Sequence, residues 1–112
     1  MLAPSQRITG ADDYRSIVRR GRRVRGSHTL LYIRPVPGAP SRYGFIVART
    51  VGGAVVRNQV RRRLKAICYE LAREGQDGTE VVVRALPSAA SAGFDSLERE
   101  VAAGLHRLRA SS

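Results

Sequence analysis

Acidic residues are missing from the whole stretch between Asp13 and Glu70, in which fourteen basic residues stand. Solvated protein surfaces usually interleave both signs, because opposite charges one helical turn apart stabilise by a few tenths of a kcal/mol and like charges oppose by about as much. Cations kept together without internal acids fit a polyanionic partner, whose condensed counterions are released when Arg and Lys replace them. Cysteine is nearly absent too. Cys68 alone excludes an internal disulfide and any cysteine zinc cluster, which fits a reducing cytoplasm. No apolar run approaches the ~18 residues that a membrane span requires, and the first ten residues lack a signal-peptide pattern, so neither membrane insertion nor export is expected. Repeats and low-complexity tracts are also lacking. The two histidines, His28 and His106, have no Ser, Cys or carboxylate constellation around them, and neither a catalytic residue nor a metal site is expected in the protein.

What is present suits one domain spanning residues 1–112. The 43% apolar content beside 26% charged residues supports a modest core, and the net charge of +11 leaves nucleic acid or an anionic membrane as the leading partners. Nineteen of the twenty basic residues are Arg, whose planar fork suits phosphate oxygens and can also stack on bases.

Periodicity outlines the elements. Thr9 followed by Asp12 has the form of a capping box, and Tyr14, Ile17 and Val18 then recur at helical spacing until Gly21 supplies a stop. Asp12 and Asp13 suit the positive end of that helix. Extended runs are expected over Ser27–Arg34 and Tyr43–Ala48, pairing antiparallel through the turn-forming Pro35–Pro40 segment. Val56, Val60, Leu64, Ile67 and Leu71 mark one face of a long helix, with Asn58, Arg61, Arg62 and Lys65 opposite. Cys68 lies beside this stripe as a small buried hydrophobe. Gly52-Gly53 lacks the Lys-Ser/Thr ending of a nucleotide-binding loop and is a turn that starts the helix. Glu80–Arg84 is a short β-branched run that fits a buried strand. Phe94, Leu97, Val101, Leu105 and Leu108 then predict a closing helix. The order is α-β-β-α-β-α, an α+β sandwich of helices against one small sheet.

The stretch from Phe45 to Lys65, with its Gly52-Gly53 turn and the run Arg57-Asn58-Gln59-Val60-Arg61-Arg62-Arg63-Leu64-Lys65, resembles the signature of the bacterial ribonuclease P protein component. The resemblance extends outward through Tyr14–Gly26, Leu31-Tyr32 and Val81–Pro87, and covers about residues 7–108. Departures stand at Val18, at Arg49-Thr50 and at Gln59.

The resemblance implies a fold like the second domain of ribosomal protein S5, with a left-handed βαβ crossover. It also implies a noncatalytic subunit that assists a catalytic RNA in removing the 5′ leader from precursor tRNA. Arg57, Asn58, Arg61, Arg62 and Lys65 would contact the ribonuclease P RNA. Tyr14 and Tyr32 would line a leader cleft between the first helix and the sheet. Tyr43 and Phe45 share a strand face, which on its own reads as structural. Chemistry would reside at Mg2+ on the RNA, held by no protein motif, in a cytoplasmic ribonucleoprotein that engages no membrane. A ribosomal-type structural RNA-binding protein is the rival reading. The residue chemistry suits an RNA partner in either case: guanidinium groups bridge phosphates, and tyrosine rings stack on unpaired bases.

Overall fold

The computed structural model describes residues 2–74 and 78–110. Helix α1 (Ala11–Arg20) opens at Gly10 rather than at Thr9, and no side chain caps it. Gly10 adopts φ 86°, a left-handed conformation that costs glycine nothing, and its carbonyl accepts the Tyr14 N–H at 3.3 Å. Asp12 and Asp13 in the first turn and Arg19 and Arg20 in the last match the helix dipole. The stop at Gly21 is as expected, and its cause is close packing. A Cβ there would lie 2.5 Å from the Ile17 carbonyl oxygen and 3.0 Å from that of Ile33.

Gly21 alone separates α1 from a strand that the periodicity did not reveal, β1 (Arg22–Arg25). The expected order is therefore corrected to α-β-β-β-α-β-α. Three of the four β1 residues are Arg, so no apolar alternation marks the strand in the sequence. The next correction concerns pairing. β2 (Thr29–Pro35) and β3 (Arg42–Ile46) are not neighbours, because β4 (Thr79–Ala85) lies between them in the order β1-β2-β4-β3. β4 runs antiparallel to β2 and parallel to β3. Val81, Val82 and Val83 are all fully buried, and a strand that is apolar on both faces is stable only inside a sheet covered on both sides. Residues 36–41 connect β2 to β3, and six residues easily cross two strand spacings of roughly 5 Å each.

Between β3 and β4 runs α2 (Ala54–Arg73), and after a short 3-10 turn at Pro87–Ala90 the chain closes with α3 (Phe94–Ala110). The apolar stripe of α2 is as the spacing predicts: Val60, Leu64, Ile67 and Cys68 are buried, and Val56 and Leu71 pack against them. Burial pushes the Cys68 thiol up to about 12, in keeping with a hydrophobe rather than a nucleophile. α2 and α3 cover one face of the sheet, joined in a core with Leu31, Ile33, Tyr43, Val81 and Val83. α1 covers the other, where Ile17 meets Tyr32 and Val82. The Glu100 carboxylate of α3 accepts from the Ser27 N–H at 2.8 Å, the His28 N–H at 3.0 Å and Thr29 Oγ1 at 2.6 Å, which ties the β1–β2 turn to that helix.

Strand register sorts the α1 face into three rows across the sheet, since side chains of alternate residues share a face. The first row is charged: Arg34, Glu80 and Arg42 stand side by side. The second is Arg23, Tyr32, Val82 and Gly44, and the third is Arg25, Leu30, Arg84 and Ile46.

Candidate RNA interface

α1 crosses the strands along these rows. Its Tyr14 ring lies over Gly44 of β3, where a Cβ would come within 2.6–2.7 Å of the phenol, and the Phe45 N–H donates to Tyr14 Oη at 3.0 Å. Ile17 packs on β4 and β2, and Gly21 abuts β2. The helix thereby covers the first two rows. The third lies alongside it, with Leu30, Arg84 and Ile46 only half-buried. Tyr14 and Val18 flank this floor from α1, packed with Leu30 and Ile46 around the same small core. The result is a shallow groove running transverse to the strands.

The first row locks α1 in place. Glu80 is 4% exposed and accepts from Arg34 Nε at 2.9 Å and Arg42 Nε at 2.8 Å, with a second short bond from each guanidinium. Arg34 also donates to Ser16 of α1 at 2.6 Å, and Arg42 approaches Asp13 at 3.5 Å. Burial opposes the Glu80 charge, but the hydrogen bonds and charges of Arg34 and Arg42 outweigh it and hold the carboxyl below its usual range. Two of the fourteen cations are therefore answered internally by an acid that lies outside the acid-free stretch.

The sequence-predicted residues divide. On α2, Asn58, Arg62 and Lys65 are exposed and Arg61 is half-buried, with Asn58 Oδ1 accepting from the Arg61 guanidinium at 3.0 Å. Arg57 is half-buried, and its Nε is enclosed without an acceptor among the described residues. Arg63, in the same basic run, turns the other way and donates to the Ala92 carbonyl at 3.2 Å, so it fastens α2 to the start of α3. Arg61, Arg62 and Lys65 line a cavity of about 820 Å³ at the β3 edge of the sheet, together with Tyr14, Phe45 and Phe94. That volume is in the range of ligand clefts. Arg57 and Asn58 sit a turn earlier and do not line it.

Tyr14 thus belongs to both the cavity and the groove. Tyr32 does not border the cavity: it is 3% exposed, beneath the Arg84 guanidinium, whose carbon lies 6.0 Å from the ring centre. Arg84 lies over that ring, itself half-buried and with its Nε enclosed without an acceptor among the described residues. Phe45 packs against the main core yet is half-buried at the cavity, and Phe94 is 39% exposed there. Leu30, Ile46 and Arg84 were missed as groove residues. A signal for one of them exists, because Arg84 is a cation directly after Val81-Val82-Val83. Nothing local marks the other two.

A family model described as Ribonuclease P matches residues 2–109. The ribonuclease P protein component of Clavibacter michiganensis is 44% identical over 108 residues, covering 96% of each chain. That of Acidothermus cellulolyticus is 42% identical, over 96% of this chain and 92% of the relative. Among solved structures, the Staphylococcus aureus RNase P protein superposes with a TM-score of 0.79 at 20% identity, covering 90% of this chain and 93% of the other. The Thermotoga maritima RNase P protein does so with 0.76 at 21%, covering 91% and 94%. The two structures share the fold, and the family match and the relatives, which extend over nearly the whole length, place this chain in the ribonuclease P protein component family.

Proposed function

We propose that this chain divides its work between two surfaces, the basic face of α2 for the RNA subunit and the groove beside α1 for the 5′ leader of the substrate. As a ribonuclease P protein component it is the RNA-binding subunit of a tRNA-processing endoribonuclease, and its partners are the ribonuclease P RNA and precursor tRNA. Among the described residues no helix is long and apolar enough to cross a membrane.

The observation that carries the division is that, among the described residues, no ion pair reaches Arg61, Arg62 or Lys65 on a helix whose other face is buried, although Glu70 and Glu98 line the same cavity. Arg57, Asn58, Arg61, Arg62 and Lys65 dock on the RNA through phosphate and 2′-hydroxyl contacts. Tyr14 forms the wall of the leader groove, and Tyr32 supports its floor from below by holding the Arg84 guanidinium. Stacking on rings and guanidinium planes tolerates any base sequence, which suits leaders that differ among tRNAs.

The bond cleaved is a phosphodiester of the precursor, leaving a 5′-phosphate on the tRNA. Mg2+ held by the RNA supplies that chemistry when bound, while the protein screens phosphate repulsion and orients the leader. The setting is the cytoplasm. Reconstitution with the cognate RNA tests this reading: precursor cleavage at low magnesium should rise sharply when the protein is added. Cleavage by the purified protein without RNA would overturn it.

A further inference from the structure

The cavity at the β3 edge holds more than the cations of α2. Arg61 and Lys65 stand one helical turn apart, and with Arg62 they line one side of the space of about 820 Å³. Its other sides are aromatic and acidic. Tyr14, Phe45 and Phe94 supply rings, and Glu98 follows Phe94 by one turn of α3, so that the two share a helix face. Among the described residues no side-chain hydrogen bond or ion pair engages Glu98, whereas Glu70 approaches Arg73 at 3.4 Å. These walls are held by the fold itself. The Phe45 N–H fixes the Tyr14 phenol at 3.0 Å, and Arg63 ties α2 to the start of α3 through the Ala92 carbonyl at 3.2 Å.

We infer that this cavity takes one unstacked nucleotide of the RNA subunit, with its phosphate on Arg61, Arg62 and Lys65, its base against the rings, and an amino group of that base on Glu98. The inference rests on the reading of α2 as the RNA-docking face and names what that face recognises. Cations alone suit any phosphate, and rings alone suit any base, because every base has a π-face. The carboxylate does neither. It repels phosphate and accepts only from N–H donors, which adenine, cytosine and guanine carry as amino groups and uracil lacks. Unpaired segments, whose bases can be splayed out of the stack, are where a protein reads RNA in this way. A leader is the wrong occupant, because leaders differ among tRNAs and the carboxylate selects among bases. A fixed position of the RNA subunit satisfies it in every holoenzyme.

The sign of one charge change tests the role of Glu98. If it only offset the neighbouring cations, Glu98→Gln would strengthen assembly with the RNA subunit by removing repulsion. As the acceptor of a base it should instead weaken assembly roughly tenfold, the scale of a hydrogen bond to a charged group. Phe94→Ala should weaken assembly by roughly as much through lost stacking, and Phe94→Tyr, which keeps the ring, should assemble as the wild type does. The chain has no tryptophan, so Phe94→Trp places a single fluorophore in the cavity wall. Its emission should be quenched on assembly with the RNA subunit before any tRNA is added. In titrations of the same variant without RNA, AMP, CMP and GMP should bind more tightly than UMP, and adding Glu98→Gln should erase that preference. Tighter assembly of Glu98→Gln, or a tryptophan left unquenched in the assembled holoenzyme, overturns the nucleotide site while leaving α2 docked. Quenching that appears only with precursor tRNA assigns the cavity to the leader and overturns the proposal too. Failure of the docking reading itself shows separately, as assembly indifferent to Arg61→Ala with Arg62→Ala.

Discussion

Two groups of arginines in this protein have the same chemistry and opposite surroundings. Arg34 and Arg42 lie on the sheet beneath α1, converge on the buried Glu80 and reach Ser16 and Asp13 of the helix. Arg61 and Arg62 lie on α2 without a salt bridge among the described residues, though Glu70 and Glu98 line the same cavity, and the hydrogen bond from Arg61 goes to a neutral amide, Asn58. The first group is charge used for folding. The second is charge left over, and a chain that keeps uncompensated cations on one helix face bears their mutual repulsion until a polyanion relieves it. Counting arginines does not separate the two groups; asking which are salt-bridged to an acid does.

The sharpest way to break the comparison is to remove the acid. Glu80→Gln leaves two guanidinium groups facing each other beneath α1 and should cost about 3 kcal/mol of stability, the scale for leaving a largely buried ion pair without one partner. Urea denaturation measures it, and RNA affinity per folded molecule should hold. If stability is unchanged, Arg34 and Arg42 belong with the surface cations.

Next in size is the groove. Tyr14→Ala should weaken holoenzyme binding of precursor tRNA by about 1 to 3 kcal/mol, the scale of stacking on one base, and leave mature tRNA unaffected. Tyr14→Phe keeps the ring and loses only the bond from the Phe45 N–H, so precursor binding should recover while stability falls by about 1 kcal/mol. Equal losses for both tRNAs would make Tyr14 a core residue only.

Arg61→Ala with Arg62→Ala should do the reverse of Glu80→Gln. Folding stability should move by less than about 0.5 kcal/mol, whereas the slope of log affinity against log salt for assembly with the RNA should fall by about 0.7 to 0.9 for each phosphate left without its arginine. An unchanged slope and affinity would remove this face from the interface.

The smallest effect is in pH. The Glu80 carboxyl is held below its usual range in the folded chain and titrates near about 4.3 once unfolded. Its contribution is therefore complete above the unfolded value and is lost as pH falls through the folded one. Stability of the wild type relative to Glu80→Gln should be constant near neutrality and shrink only below about pH 4. An advantage that disappears between pH 6 and 8 would assign it to another group.

Much of the site was legible because its signals are local. Arg57 through Lys65 could be placed on a helix face by a 3.6-residue period, and Cys68 by its position beside the Val60, Leu64 and Ile67 stripe. Tyr14 was legible as an aromatic on α1, but not as the residue shared by groove and cavity, because that depends on Gly44 letting the ring down onto β3. The burial of Tyr32 was not legible for a related reason. A strand aromatic can point to a cleft or lie beneath a neighbour, and the neighbour, Arg84, is fifty-two positions away. β1 escaped detection because its arginines hide the alternation by which a strand is recognised.

By itself, the amino-acid sequence determined the cationic excess, the helix that displays it and the partner class it requires, since charge and helical period are set within a few residues of chain. The tertiary structure alone decided the strand order, with β4 between β2 and β3, and with it the pairing of Glu80 with Arg34 and Arg42. It alone decided too which row of side chains α1 leaves open. Those outcomes follow from packing between distant segments, where burying Val81, Val82 and Val83 on both faces outweighs the short connection that would otherwise have joined β2 to β3 as a hairpin.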